Sequence, residues 1–205
     1  MKKVGILMRK AVTEAGHNAF LLYQGVSDYL IKNNVIPLGF IPPIINGKID
    51  GDLLQKTIKT FDGVILEGGD NFDDFDLEIV KYLYDNDIPC LGICLGMQMM
   101  GALFNGQLTN VKGHLIMRPY AHFVYLNKNS KLYKIIKKRK IFVNSRHKSA
   151  VIKTALKVNA KSSVIEAISD DKKKFFIGVQ WHPESLTDVN SYKLFKAFFK
   201  ALQKK

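Results

Sequence analysis

Cys94, His182 and Glu184 are the residues of this 205-residue chain best suited to covalent chemistry. Cys94 stands between Gly92 and Gly96, after the short apolar run Ile88 to Ile93 and before an apolar segment with helical spacing. The run reads as a buried strand. Strand, sharp turn and helix in that order resemble a nucleophile elbow, in which small neighbours let the backbone present the central side chain. A helix opening after Cys94 aims free N–H groups and a positive dipole end at the sulfur, which favours thiolate. The same stretch also suits a buried structural thiol, the commonest state of a free cysteine. The turn alone does not separate the two.

A base for that thiol stands far along the chain, in Gly178-Val179-Gln180-Trp181-His182-Pro183-Glu184-Ser185. His182 leaves an apolar strand-like run, and Pro183 fixes φ and stops the strand there. Glu184 then follows at the spacing of a group that orients the imidazole and stabilises its charge. Gly68-Gly69 ends another apolar run, Asp62 to Glu67, where a bare backbone can approach a ligand and offer N–H groups. It also reads as an ordinary turn. Arg9, at the end of the first strand, could meet a substrate carboxylate.

Elements must carry these groups to one place. Strands are predicted over Lys3 to Met8, Val35 to Phe40, Asp62 to Glu67 and Ile88 to Ile93. Helices are predicted over Phe20 to Lys32, Asp52 to Lys59, Phe75 to Tyr84 (Asp73 or Asp74 as N-cap) and from Cys94 to about Phe104. Beyond Gly106 the pattern alternates. Antiparallel strands are expected within Gly113 to Leu126 and over Lys140 to Asn144, Val164 to Ser169 and Lys174 to Gln180, before a last helix over Ser191 to Gln203. The expectation is one α/β domain over 1–205: a mostly parallel open sheet with helices on both faces and an antiparallel extension in the second half. In such sheets, sites form beyond the carboxyl ends of the strands. That edge would hold Arg9, Gly68-Gly69 and Cys94.

Composition excludes several classes. An apolar fraction of 47% beside 24% charge is ordinary for a globular chain, and no apolar run approaches a membrane span. Lys2-Lys3 precedes too short an apolar run for a signal peptide, so a cytoplasmic location is expected. The net charge of +13 comes from 27 Lys against 4 Arg, which supports nucleic-acid binding only weakly. An anionic small substrate or acidic partner accounts for it as well. Cys90 reads as core, and two cysteines without metal-like companions predict neither a disulfide nor a metal site.

Gly92-Ile93-Cys94-Leu95-Gly96-Met97-Gln98 together with Trp181-His182-Pro183-Glu184-Ser185, and Gly68-Gly69 upstream, resembles the class I glutamine amidotransferase family. The likeness runs from about Asp62 to Ser185. Val143-Asn144-Ser145-Arg146-His147, and a first strand ending in Arg, resemble its γ-glutamyl hydrolase branch, peptidase family C26, which includes γ-glutamyl-γ-aminobutyrate hydrolases. Many members of that branch follow Gly-Gly-x-Asp with a loop containing Pro and Tyr; here Gly68-Gly69-Asp70-Asn71-Phe72-Asp73-Asp74 has none.

The resemblance implies a flavodoxin-like fold and a Cys–His–Glu triad. Cys94 attacks the γ-carbonyl of a small γ-glutamyl amide, and the thioester then releases glutamate. His182 relays the proton, and Glu184 orients His182. Backbone N–H groups of Leu95 and of Gly68-Gly69 would hold the oxyanion, and Gln98 would bind the glutamyl moiety. Arg146 and His147 are further pocket candidates, while His114, His122 and Arg118 suit structural roles equally. No cofactor or metal is implied. The expected function is a hydrolase of small γ-glutamyl amides, alone or as a homodimer. The alternative is a glutaminase subunit supplying ammonia to a separate synthetase.

Overall fold

The computed structural model describes residues 1–202, built around one nine-stranded sheet. Its strands are β1 (Lys2–Leu7), β2 (Val35–Phe40), β3 (Gly63–Leu66), β4 (Cys90–Ile93), β5 (His122–Leu126), β6 (Lys140–Val143), β7 (Lys157–Lys161), β8 (Ile165–Ser169) and β9 (Phe176–Val179). In space they run β6-β5-β7-β8-β9-β4-β3-β1-β2. The five from β9 to β2 pair in parallel, and the other four extend the sheet antiparallel. The helices are α1 (Gln24–Lys32), α2 (Gly51–Ile58), α3 (Asp74–Asp85), α4 (Leu95–Leu103), α5 (Lys131–Ile136) and α6 (Val189–Ala201).

Side-chain alternation along the central strands builds a core on each face. Val4 and Ile6 of β1, Ile65 of β3 and Leu91 and Ile93 of β4 pack with α1, α5 and α6. Leu7, Val64, Leu66 and Cys90 face the other way, against α2, α3 and α4. The expected architecture is therefore the observed one, and Cys90 is fully buried in it. No helix among the described residues is long and apolar enough to cross a membrane.

Local chemistry sets the element ends. Asp73 caps α3 in a reciprocal capping box with Asp76, and Asp50 caps α2 by accepting from the Leu53 N–H. The predicted helix from Phe20 starts instead at Gln24. Phe20 and Leu21 belong to the strand Asn18–Leu21, paired with Arg9–Val12 as a hairpin. Apolar neighbours on a half-exposed hairpin mimic a helical stripe over one turn. The basic run around Lys131 hides α5, whose Ser130 cap accepts from the Tyr133 N–H, and which ends at Lys137 in the left-handed region. The strands Ser149–Lys153 and Lys157–Lys161 are also additions to the sequence reading. Gln203, where the last helix was expected to end, lies outside the described residues.

Candidate active site

Cys94 follows directly on β4 and caps α4 with φ +52 and ψ −102, a left-handed conformation costly for a residue with a side chain. A Cβ on Gly96 would run into the carbonyl oxygen of Leu66, so only glycine lets the first turn of α4 sit there. As the first residue of the helix, Leu95 has an N–H with no intrahelical acceptor, so a backbone donor stands next to the sulfur. The Gln180 Nε2 donates to the Cys94 Sγ at 3.6 Å.

His182 leaves β9, the parallel neighbour of β4, so the pairing Val179 to Ile93 carries it beside Cys94. Its Nδ1 bonds to Glu184 Oε1 at 2.6 Å, which leaves Nε2 for the thiol. Asn144 fixes the backbone: its Nδ2 donates to the His182 carbonyl and its Oδ1 accepts from the His182 N–H, both at 2.8 Å. Burial by itself would lower the His182 pKa. A hydrogen bond with the Cys94 side chain outweighs it, together with the hydrogen bond and charge of Glu184, and pushes the value up to about 10. Below that pH the ring holds its proton.

A cavity of about 350 Å³ opens over these groups. Cys94, His182 and Glu184 line it with Gly68, Gly69 and Arg146, all foreseen from sequence. A Cβ on Gly68 would lie 2.8 Å from the His182 ring, so glycine lets this backbone close against the imidazole. The Leu95 side chain packs at Gly69, where a Cβ would lie 2.9 Å from its Cδ2. Arg146 is exposed at the rim, its Nη1 3.3 Å from Ser185 Oγ.

Three expected site residues serve elsewhere. Arg9 is buried and bonds through both terminal nitrogens to Asp76, at 3.1 and 2.8 Å, and to the Asn71 carbonyl at 3.0 Å. The hairpin it begins turns its guanidinium toward the acidic start of α3, with its stem beside Gly69. Gln98 is buried, since α4 is enclosed from Leu95 to Gly101, and a buried amide must find partners inside the protein. Its Nε2 donates to the Ser149 carbonyl at 2.7 Å and to Gln180 Oε1 at 3.3 Å, so it steadies the glutamine that touches Cys94. His147 points its Nδ1–H at the Ser149 carbonyl at 3.0 Å and lies outside the cavity lining.

Sequence reasoning missed Glu67, Asp70, Tyr23 and Gly25, which also line the cavity. Glu67 is fully buried, and both of its oxygens lie near the Tyr23 N–H, at 3.3 and 3.2 Å. Burial pushes its pKa up to about 8 against the opposing Tyr23 N–H and Arg9. An acid ending a wholly apolar strand was the signal for it. Tyr23 and Gly25 come from the start of α1, and no local pattern marks them.

The family model for glutamine amidotransferase class-I matches residues 25–202. The glutamine-hydrolyzing GMP synthase chain of Archaeoglobus fulgidus is 30% identical over 191 residues, covering 90% of this chain and 98% of the relative. CTP synthase of Borreliella afzelii is 30% identical over 218 residues, covering 85% of this chain but only 39% of the relative. The glutaminase domain of Trypanosoma brucei CTPS with bound acivicin superposes with a TM-score of 0.73 at 18% identity, over 98% of this chain and 94% of that one. With the family model spanning nearly the whole chain, this protein belongs to the class I glutamine amidotransferase family.

Proposed function

We propose that the chain is a glutaminase subunit: it hydrolyses the γ-amide of glutamine through a Cys94 thioester and passes the ammonia to a separate synthetase. The observation that carries this is the Cys94–His182–Glu184 arrangement, with His182 charged through its hydrogen bonds to both partners. The Cys94 thiolate attacks the γ-carbonyl, and charge gathers on the carbonyl oxygen beside the Leu95 and Gly68-Gly69 N–H groups. One such donor is worth about 3–4 kcal/mol in the transition state. His182 Nε2 gives its proton to the departing nitrogen, then takes one from water as that water opens the thioester. Asp70 and Arg146, which line the same cavity, suit the charge pattern of an amino-acid zwitterion. The A. fulgidus relative, a GMP synthase component matched along almost its full length, supports assembly with a synthetase.

A second reading, hydrolysis of γ-glutamyl amides of larger amines, is favoured by Arg146. This exposed cation at the rim could bind a leaving group bearing a carboxylate. One experiment separates the two. Purified protein is assayed for glutamate release from glutamine and from a panel of γ-glutamyl amides, with and without partners recovered by co-purification. Glutamine turnover stimulated by a synthetase, and lost in Cys94→Ala, supports the first reading. Partner-independent turnover of a larger amide, weakened by Arg146→Ala, replaces it with the second. Absence of both with folded protein refutes the chemistry.

A further inference from the structure

A second cluster of ionisable groups lies in the antiparallel half of the molecule, away from the Cys94 cavity. The metal-binding atoms of His114, His122 and Glu166 all lie within 4.8 Å of one another. His122, on β5, sets its Nε2 2.7 Å from Glu166 Oε1, on β8, and the Ser162 hydroxyl donates to the same oxygen at 2.6 Å. The second carboxylate oxygen, Oε2, is buried with no partner, in a residue that is 0% exposed. The His114 ring lies 5.1 Å from that of His122 and 4.8 Å from that of His147.

His147 carries the other unpartnered atom. With its Nδ1–H donated to the Ser149 carbonyl, Nε2 is the nitrogen with the lone pair, and that Nε2 is buried with nothing bonded to it. His114 Nε2 and Nδ1 each meet a serine hydroxyl, Ser163 at 2.9 Å and Ser145 at 3.3 Å, so one nitrogen can bind an ion while the other stays oriented. A simple His122–Glu166 ion pair would explain one contact and leave the second, buried oxygen of Glu166 unsatisfied.

We propose that His114, His122 and Glu166 bind a divalent ion of the zinc type, with water completing the fourth position. Imidazoles with one carboxylate fit zinc, whereas calcium and magnesium demand oxygen ligands. The ion would tie together segments distant in sequence: the Leu115–Ile116 strand, β5, β8 and the Ser145–Arg146 strand that pairs with the first of them. Arg146 reaches the Cys94 cavity from that strand, so the ion would brace the rim without touching the thiol.

The test uses tag-free, chelator-stripped full chain titrated with Zn²⁺ by calorimetry and with Co²⁺ by visible absorption. One equivalent of Zn²⁺ and the intense bands of four-coordinate Co²⁺ are expected, with no competition from Mg²⁺. His122→Ala and Glu166→Gln should each weaken Zn²⁺ at least about tenfold. Cys94→Ala should bind as the parent does. His122 is partly exposed and Glu166→Gln keeps the acceptor for Ser162, so a folded variant is at hand, checked by circular dichroism. No stoichiometric binding by the parent overturns the proposal. Unchanged affinity in a folded cluster variant, or binding lost only in Cys94→Ala, overturns it equally. The glutaminase reading does not enter any of these outcomes.

Discussion

Asn144 grips the backbone of His182 from both sides, donating to its carbonyl and accepting from its N–H, each at 2.8 Å. Asn144 is fully buried in the loop after β6, on the far edge of the sheet from Cys94's own strand neighbours. A side-chain amide is matched in shape and polarity to a peptide, so it holds the histidine at the end of β9 as another strand would.

Asn144→Ala therefore releases His182 from its place without removing a reacting group. The kcat should fall about 10–100-fold, the cost of a misplacement on the scale of 1 Å. KM should change by less than about threefold, because Asn144 is not itself among the residues lining the cavity. Steady-state kinetics on glutamine checks this. An equal loss in KM alone would mean that Asn144 acts on binding.

His182 should remain an imidazolium well above the ordinary value of 6.5, since its pKa is raised to about 10. A group raised on folding adds stability that is fully present below pH 6.5 and is lost as pH rises through about 10. Removing the thiol removes the leading stabiliser of the charged ring. In Cys94→Ala the His182 titration should move down, and activity should fall by at least about 10⁴-fold. NMR titration of the ring carbons, read at pH 8 in both proteins, tests the shift. Identical titrations would dissolve the proposed pair.

Glu67 has the same sign with the opposite chemistry. Its carboxyl is raised by burial from 4.5 to about 8, so the neutral form is the one the fold accommodates. Its contribution is whole below pH 4.5 and fades as pH rises through 8. Glu67→Gln, which keeps an acceptor for the Tyr23 N–H, should stabilise the protein at pH 9 by about 2 kcal/mol. That amounts to roughly 4–8 °C in Tm for a chain of this size. Near pH 5 the two proteins should melt together. Thermal scans at both pH values give the answer.

Arg9 and Asp76 form a buried two-pronged pair, and breaking one side strands a charge. Arg9→Ala should cost about 3–5 kcal/mol, or roughly 10 °C in Tm, while KM for glutamine stays within about twofold. A large KM change with intact stability would restore Arg9 to the substrate, as its position at the end of β1 first implied.

The sheet and the elbow were legible because each depends on local signals. The apolar runs ending at Leu7, Leu66 and Ile93 are central strands buried on both faces, and these cannot carry polar residues. Gly96 is legible because a Cβ would strike the Leu66 carbonyl. The Phe20–Leu21 hairpin was misread and α5 missed for the converse reason. A half-exposed hairpin and a lysine-rich amphipathic turn have weak periodicity, and their caps act through single side chains such as Ser130.

Within the site, sequence alone picked out the candidate groups: a thiol at a sharp turn, an imidazole at a strand end and a carboxylate two residues on. Those requirements are set by neighbours in the chain. Tertiary structure decided which polar residues face that site. Gln98 and Arg9 sit at inviting spacings, yet burial forces each to satisfy a partner inside the protein, Ser149 and Gln180 for one and Asp76 for the other. Glu67, Asn144 and the His114–His122–Glu166 cluster draw meaning only from contacts between segments far apart in the chain. Their partners are chosen by sheet order, which no short-range pattern encodes.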